Sequence, residues 1–592
     1  MSLFEKILNL NRFFFKSLHT LNRLLNKYKR EYLLGFVFII LANLMTVIGT
    51  EYVRKAINSV ANFDHNFSWK ERLMYSAIVV LAPIMSGLFT YFMRQTIIIA
   101  SRKIEFDLKN EIFEHYERLP QSFYKKNRTG DLIARISEDV AQVRMYLGPG
   151  IMYTLNLLVI TVLVSYRMVA IDATMSLYVL IPLPILLFLV YRNSKIINQK
   201  SKVVQEQLSN ISSFVQDTFS GIRVIKSYNM EPKIIADYEK ETSKYKEKNI
   251  EVAQVNAFFY PTILLILGLC YLFILYIGGS RYASGEIKNI GTVAAFFIYI
   301  NIIVWPFIAV GWVTSVVQRA EASQKRINEF LETKPEIVNE NPNHSEIKGN
   351  IEFKNVSFNY QNTGIQALKD VSFKIEAGKT LAILGRTGSG KTTIAELICR
   401  MYDADSGEIL IDNQSIKKVN LYDLRRNIGY VPQESFLFSD TIKNNIAFGV
   451  DNASDEMIIN AAKDASVHDN IVHFAEQYET ILGERGVTLS GGQKQRISIA
   501  RVFIKKPTIY IFDDSLSAVD TETEEQILNN LAKNTQNATT LIITHRISSA
   551  KNADYIIVLD EGSIIEEGTH NDLITQEGYY QTLYNQQLAE GV

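Results

Sequence analysis

The stretch from Leu384 to Thr393 reads LGRTGSGKTT and holds the residue types that grip phosphate. The pattern G-x-x-x-x-G-K-[ST] is met by Gly385 through Thr392. Gly385, Gly388 and Gly390 let the backbone fold around an anion with its N–H groups turned inward. Lys391 is placed to reach the β- and γ-phosphates, and the Thr392 hydroxyl to sit on Mg²⁺. An apolar run, Thr380–Leu384, comes before, and the helix-like Ile394–Tyr402 follows. The positive end of that helix would lie beneath the phosphates. The stretch predicts a site for a nucleoside triphosphate.

Five further stretches flank it in order. Tyr360 ends an apolar-alternating strand about two dozen residues upstream, where its ring could stack on a base. Gln433 lies in YVPQESFLF. Leu489–Gln493, LSGGQ, opens the helix QKQRISIARVFI; Ser490 can cap it, and Gly491 and Gly492 allow close approach. That is a second helix N-terminus suited to phosphate. Ile509–Asp513, IYIFD, is a strand ending in a carboxylate, the usual seat of a Mg²⁺ partner. His545 follows the strand TTLIIT.

These residues need a scaffold, and from Ile351 strands and helices alternate, which predicts a mixed sheet with helices packed on it. The half before residue 320 is different. Six apolar stretches, at about 32–50, 73–93, 150–169, 174–192, 256–279 and 292–317, are each near the roughly 20 residues that span hydrocarbon. Lys and Arg gather in residues 1–31, 94–147 and 192–255, and few occur in the short loops. The positive-inside rule puts both long loops, the N-terminus and everything after 317 in the cytoplasm. Asn156, Asn256 and Asn301 are expected to face other helices or a cavity. The expected domains are an interfacial helix at 1–31, a membrane domain at 32–320, a linker at 321–350 and a nucleotide-binding domain at 351–592. The long loops read as helices continuing out of the bilayer, interrupted at 119–131 and 219–232, and expected to carry motion between membrane and cytoplasmic parts.

Composition excludes several classes. Lys and Arg total 62 against 62 for Asp and Glu, so bulk charge points to no nucleic-acid partner. Two cysteines, Cys270 and Cys399, exclude a disulfide framework and a cysteine metal site, and each reads as an apolar helix position. Charges scattered through the N-terminus do not suit a signal peptide, and no peptidase-like segment comes before the first span.

In this order and spacing the motifs resemble the ATPase domain of ABC transporters, and the membrane part resembles the six-span domain of ABC exporters. GERGVTLSGGQ and the loop ending RTGDLIARISEDV are typical of that exporter branch. The resemblance implies the α/β P-loop ATPase fold, with ATP and Mg²⁺ as cofactors. It implies that Tyr360 stacks on adenine and that Gly385, Arg386, Thr387, Gly388, Ser389, Gly390, Lys391, Thr392 and Thr393 hold the phosphates. Thr392, Gln433 and Asp513 serve Mg²⁺, Gln433 also senses occupancy, and His545 contacts the γ-phosphate. Ser490, Gly491, Gly492 and Gln493 meet the γ-phosphate held by a second ATPase domain, with Ala518–Asp520 at the interface between domains. One phosphate loop and one LSGGQ make a half-transporter that must pair.

The family's general base, a glutamate directly after the Mg²⁺ aspartate, is Asp514 here. Its carboxylate is drawn back by about 1.5 Å. Such a displacement can cost roughly 10²-fold in rate, or about 2.7 kcal/mol. In related exporters this aspartate marks one member of a heterodimer with a weakened site, so a heterodimer is favoured over a homodimer. The implied function is ATP-driven export of an amphipathic lipid or lipophilic drug across the cell membrane. Phe296, Phe297, Tyr299, Trp305, Phe307 and Trp312 offer apolar walls with hardly any fixed charge nearby. An ATP-gated channel or sensor, and uptake through the same architecture, are the alternatives.

Overall fold

The structure is a computed structural model and describes residues 17–61, 69–483, 486, 489–515, 521–534 and 538–589. Ala518–Asp520 and the first half of the expected interfacial helix lie outside the described residues. Contacts divide the chain into two units: one holds the membrane helices as far as Thr333, and the other joins Arg118–Arg128 to the chain from Lys334 onward.

In the first unit six helices are long and apolar enough to cross a membrane: Lys29–Ala61, Trp69–Arg118, Thr129–Ile171, Ala173–Ser220, Glu231–Ala283 and Ile290–Leu331. The second has 50 residues. At 1.5 Å per residue it spans about 75 Å, against the roughly 30 Å of a hydrocarbon core. The third is interrupted by π-helical turns at Arg135–Asp139 and Tyr146–Gly150, the latter containing Pro149, which has no N–H to give.

The membrane helices are pinned by polar contacts. Asn43 donates to Asn156 Oδ1 at 2.9 Å, joining the first helix to the third. Tyr271 donates to Asn301 Oδ1 at 2.8 Å, joining the fifth to the sixth. Asn256, by contrast, is exposed on this chain. The first helix also runs past its expected end at residue 50. It carries Glu51, which bonds Arg54 at 2.5 Å and Arg167 of the third helix at 2.9 Å. The outer halves therefore do hold fixed charge. Phe296 and Tyr299 are fully buried in the helical core, so they are not free walls, whereas Trp305 is 69% exposed. The leucines expected on an interfacial helix, Leu18, Leu21, Leu24 and Leu25, are buried, and Arg23 and Lys27 pair with Glu111 and Asp107 of the second helix. Where described, that segment packs on protein.

The second unit builds two sheets where one was expected. β1 (Ile351–Tyr360), β2 (Ile365–Ile375), β4 (Ser406–Ile411) and β5 (Gln414–Ser415) form an antiparallel sheet in the order β2-β1-β4-β5. β3 (Thr380–Gly385), β6 (Ile428–Val431), β7 (Ile509–Asp513), β8 (Thr539–Ile543), β9 (Tyr555–Asp560) and β10 (Ser563–Gly568) form the second, ordered β10-β9-β3-β8-β7-β6. Its strands are parallel apart from the β9–β10 hairpin. β3, β7 and β8 are buried almost throughout and read as continuous apolar runs, as central parallel strands should. β3 and β7 lie on either side of β8, so Gly385 and Asp513, at their C-terminal ends, come to the same edge, where ligands bind in open α/β sheets. Cys399 and Cys270 are both buried and free.

Candidate nucleotide site

The phosphate loop joins β3 to the helix Lys391–Ile398. Gly385 has φ +149°, and a Cβ there would lie 2.0 Å from the Leu559 carbonyl oxygen. Gly390 has φ +102°, with Ala367 O at 2.3 Å from an added Cβ. Neither position admits a side chain. Gly390 is also the N-cap of the helix and places no side chain over its first N–H groups. Those groups are therefore open to an anion.

Around this loop a cavity of about 700 Å³ gathers Tyr360, Gly385, Arg386, Thr387, Gly388, Ser389, Gly390, Lys391, Thr392, Thr393, Gln433, Asp513, Asp514 and His545. The Lys391 ammonium donates to the carbonyls of Gly385 and Arg386, each at 2.7 Å. Burial lowers its pKa, and the charges of Asp514 and Asp513 oppose that shift. Asp513 accepts from the Thr392 hydroxyl at 3.1 Å and the Tyr430 hydroxyl at 3.3 Å. Burial still pushes its carboxyl up to about 6. Asp514 has φ +45°, a conformation Asp tolerates better than most residues. Its carboxylate contacts His545 Nδ1 at 2.8 Å and Gln433 Nε2 at 3.5 Å. That pairing with Asp514 is the main cause raising the His545 pKa.

The donor set fits Mg²⁺. The Thr392 hydroxyl, the Gln433 amide and the Asp513 carboxylate offer hard oxygens, and a buried carboxylate near pKa 6 gains from a cation. Among the described residues no cluster of three or more His, Cys, Asp or Glu could hold an ion alone. Mg²⁺ is usually bound through one or two carboxylates together with substrate phosphates, so none is needed.

The LSGGQ residues are elsewhere. Ser490, Gly491, Gly492 and Gln493 do not line this cavity. Ser490 caps the helix Gly491–Lys505 in a full capping box: its N–H donates to Gln493 Oε1 at 2.9 Å and its hydroxyl accepts from Gln493 N at 3.3 Å. Sequence reasoning also missed residues. Tyr430 touches the Asp513 carboxylate, Glu396 holds the Tyr360 hydroxyl at 2.8 Å, and Tyr579, Leu583 and Gln587 of the last helix line the cavity. Tyr430 had a signal, because it precedes Gln433 on a strand next to β7. The last helix had none, since only the fold brings it here.

A phosphate-loop ATPase domain fused to six membrane-length helices defines a transport ATPase. Residues 32–307 match the ABC transporter transmembrane region and residues 368–517 the ABC transporter ATPase family. The chain is 34% identical over 564 residues to the multidrug resistance-like ATP-binding protein MdlA of Escherichia coli, covering 95% of each. It is 32% identical to the ATP-dependent lipid A-core flippase of Syntrophus aciditrophicus, covering 86% of this chain and 85% of that one. The structure of a bacterial Atm1-family ABC exporter with ATP bound superposes with TM-score 0.78 at 25% identity, over 94% of this chain and 99% of the other. The chain therefore belongs to the ABC transporter family, as an exporter-type half-transporter with membrane and ATPase domains in one polypeptide. It is a multi-pass membrane protein that couples ATP hydrolysis to export, and its ATPase domain is cytoplasmic.

Proposed function

We propose that the chain works as one half of a dimer that exports an amphipathic or lipophilic molecule, a drug or a lipid, at the expense of ATP. Each nucleotide would lie between the phosphate loop of one chain and the Ser490–Gln493 helix end of the other. The observation that carries this reading is the separation of the two helix N-termini. Within one chain the phosphate loop and LSGGQ do not share a cavity, so a site using both needs two chains.

In such a site Tyr360 stacks on the base, Gly385–Thr393 hold the phosphates, and Thr392, Gln433 and Asp513 hold Mg²⁺. The ion, when bound, supplies positive charge to the β/γ-phosphate oxygens. Asp514 orients the attacking water, and His545, fixed by Asp514, faces the γ-phosphate. The second partner is a different half-transporter, with a glutamate where this chain has Asp514. Exposed Trp305 and Trp312 suit contact with lipid or an amphipathic substrate.

The test is steady-state ATPase of the purified dimer, with chain composition read by intact mass. In a heterodimer Asp514→Asn changes total ATPase little. Loss of most activity with a single chain type present would establish a homodimer instead. Stimulation of ATPase by lipid or drug, together with outward flux from vesicles, tests the substrate class.

A further inference from the structure

The cytoplasmic segment Arg118–Arg128 belongs structurally to the ATPase unit, and its short helix Gln121–Lys126 makes a charged contact with the nucleotide domain. Lys125 Nζ lies 3.2 Å from Glu396 Oε1. The Glu396 side chain is only 9% exposed, and its other oxygen accepts from the Tyr360 hydroxyl at 2.8 Å. The same hydroxyl is 3.0 Å from Thr393 Oγ1, inside the phosphate loop. Lys125 also stands 5.2 Å from the Tyr360 ring centre and 5.3 Å from that of Tyr402. Phe358 and Tyr402 close on Tyr360 edge-on, at 5.0 and 5.6 Å.

Each link has a physical consequence. A carboxylate this buried keeps its charge only when paired and hydrogen-bonded. Lys125 supplies the cation, and burial works against its charge while Tyr402 and Glu396 restore it, for a net rise in pKa. Glu396 in turn accepts from the Tyr360 hydroxyl and anchors it. With its hydroxyl fixed and its edges packed, the ring has one orientation instead of several rotamers. A platform already in place spares a base the cost of ordering it.

We propose that Lys125 and Glu396 are positioning residues for base recognition, setting the Tyr360 ring so that a cytoplasmic segment of the membrane chain governs affinity for the base but not for the phosphates. The proposal rests on the reading of Tyr360 as the base-stacking residue.

The experiment compares binding of MgATP and of magnesium tripolyphosphate, which has no base, to the full-length dimer in lipid nanodiscs by calorimetry. Lys125→Ala and Glu396→Gln should weaken MgATP about five- to tenfold, within the range a stacked base contributes, and leave tripolyphosphate unchanged. Lys125→Arg, which keeps charge and donors, should restore ATP binding. In turnover the two damaging variants raise KM for ATP and keep kcat. Equal weakening of both ligands, or of neither, would overturn the proposal. Tyr360→Ala is the control for the underlying reading. If it fails to weaken ATP selectively, the base does not stack there and the positioning role falls with it.

Discussion

Two helix N-termini in the ATPase domain are suited to the same anion but are built in opposite ways. The helix at Lys391 is entered through a glycine with left-handed backbone, so its first N–H groups meet no side chain of their own. The helix at Gly491 is entered through Ser490, and a reciprocal pair with Gln493 occupies the N–H groups of Ser490 and Gln493. The first end is preorganised: strained backbone holds an open cradle before any ligand arrives. The second is partly self-satisfied by its capping box. In the proposed dimer, a phosphate that used the Ser490 hydroxyl or the Gln493 N–H would exchange the capping box for contacts with the other chain's nucleotide, giving up about 1 kcal/mol of cap stability. In that proposed dimer the open cradle would take ATP first, and the capped end would engage only when the other chain delivers the phosphate close by. The asymmetry favours sequential assembly: nucleotide on one chain, then closure against the second.

The largest effect should follow from closing the open cradle. Gly385→Ala drives a Cβ to 2.0 Å from a backbone carbonyl that is part of β9 and cannot move aside. ATP binding and hydrolysis should both vanish, while the membrane helices still fold, as circular dichroism and monodisperse elution would record. Retention of ATP binding would mean that the loop is not the cradle.

Next comes the capped end. Ser490→Arg places bulk and charge at a helix terminus and should abolish ATPase while leaving ATP binding to the isolated chain intact. Ser490→Ala should cost about 1 kcal/mol of stability through the lost cap and reduce turnover without removing it. ATP binding measured by calorimetry in both variants decides the point. If Ser490→Arg weakened binding to a single chain, the two helix ends would not be separate.

The difference also explains what was legible. Phosphate chemistry dictates residue types at fixed spacing, so Gly385, Lys391, Thr392 and Asp513 announce themselves. Glu396 does not, because its contact depends on β1 folding against the phosphate-loop helix, with no local pattern to mark it, and Tyr430 is marked only by its place just ahead of Gln433. In the membrane half hydrophobic length set the number of helices, because lipid demands it. It could not say which aromatic faces protein. Phe296 and Tyr299 sit on the same helix as Trp305, and the first two are core while the third is exposed. Nor could it carry Glu51 and Arg54 inside the first helix, since the pairing of Glu51 with both Arg54 and Arg167 is what lets them stay there.

A smaller effect is expected at Tyr430, on the open side. Its hydroxyl reaches Asp513 at 3.3 Å, a long bond. Tyr430→Phe should reduce apparent Mg²⁺ affinity about tenfold, the low end for groups that orient a metal ligand. The Mg²⁺ dependence of ATPase measures it, and a change in maximal rate at saturating Mg²⁺ with unaltered affinity would count against the assignment.

The smallest effect is one of pH, and it should appear on one side only. Ser490 and Gln493 carry no titrating group, whereas the open side sets His545 against Asp514 at 2.8 Å. The hydrogen bond to Asp514 is the first cause raising the His545 pKa, burial opposes it, and the carboxylate charge adds to it. A histidine whose folded-state pKa lies above its unfolded value stabilises the fold through its proton. That contribution is fully present below the ordinary value near 6.5 and is lost as pH rises through the raised value. Asp514→Asn removes both favourable causes. The stability gap between the native protein and this variant, read as Tm without nucleotide, should therefore be widest just below pH 6.5 and narrow as the solution becomes alkaline. Ser490→Ala should show a gap that does not vary over the same range. A gap for Asp514→Asn that widened with rising pH would mean that Asp514 holds a neutral imidazole, and that the open side is poised by geometry alone.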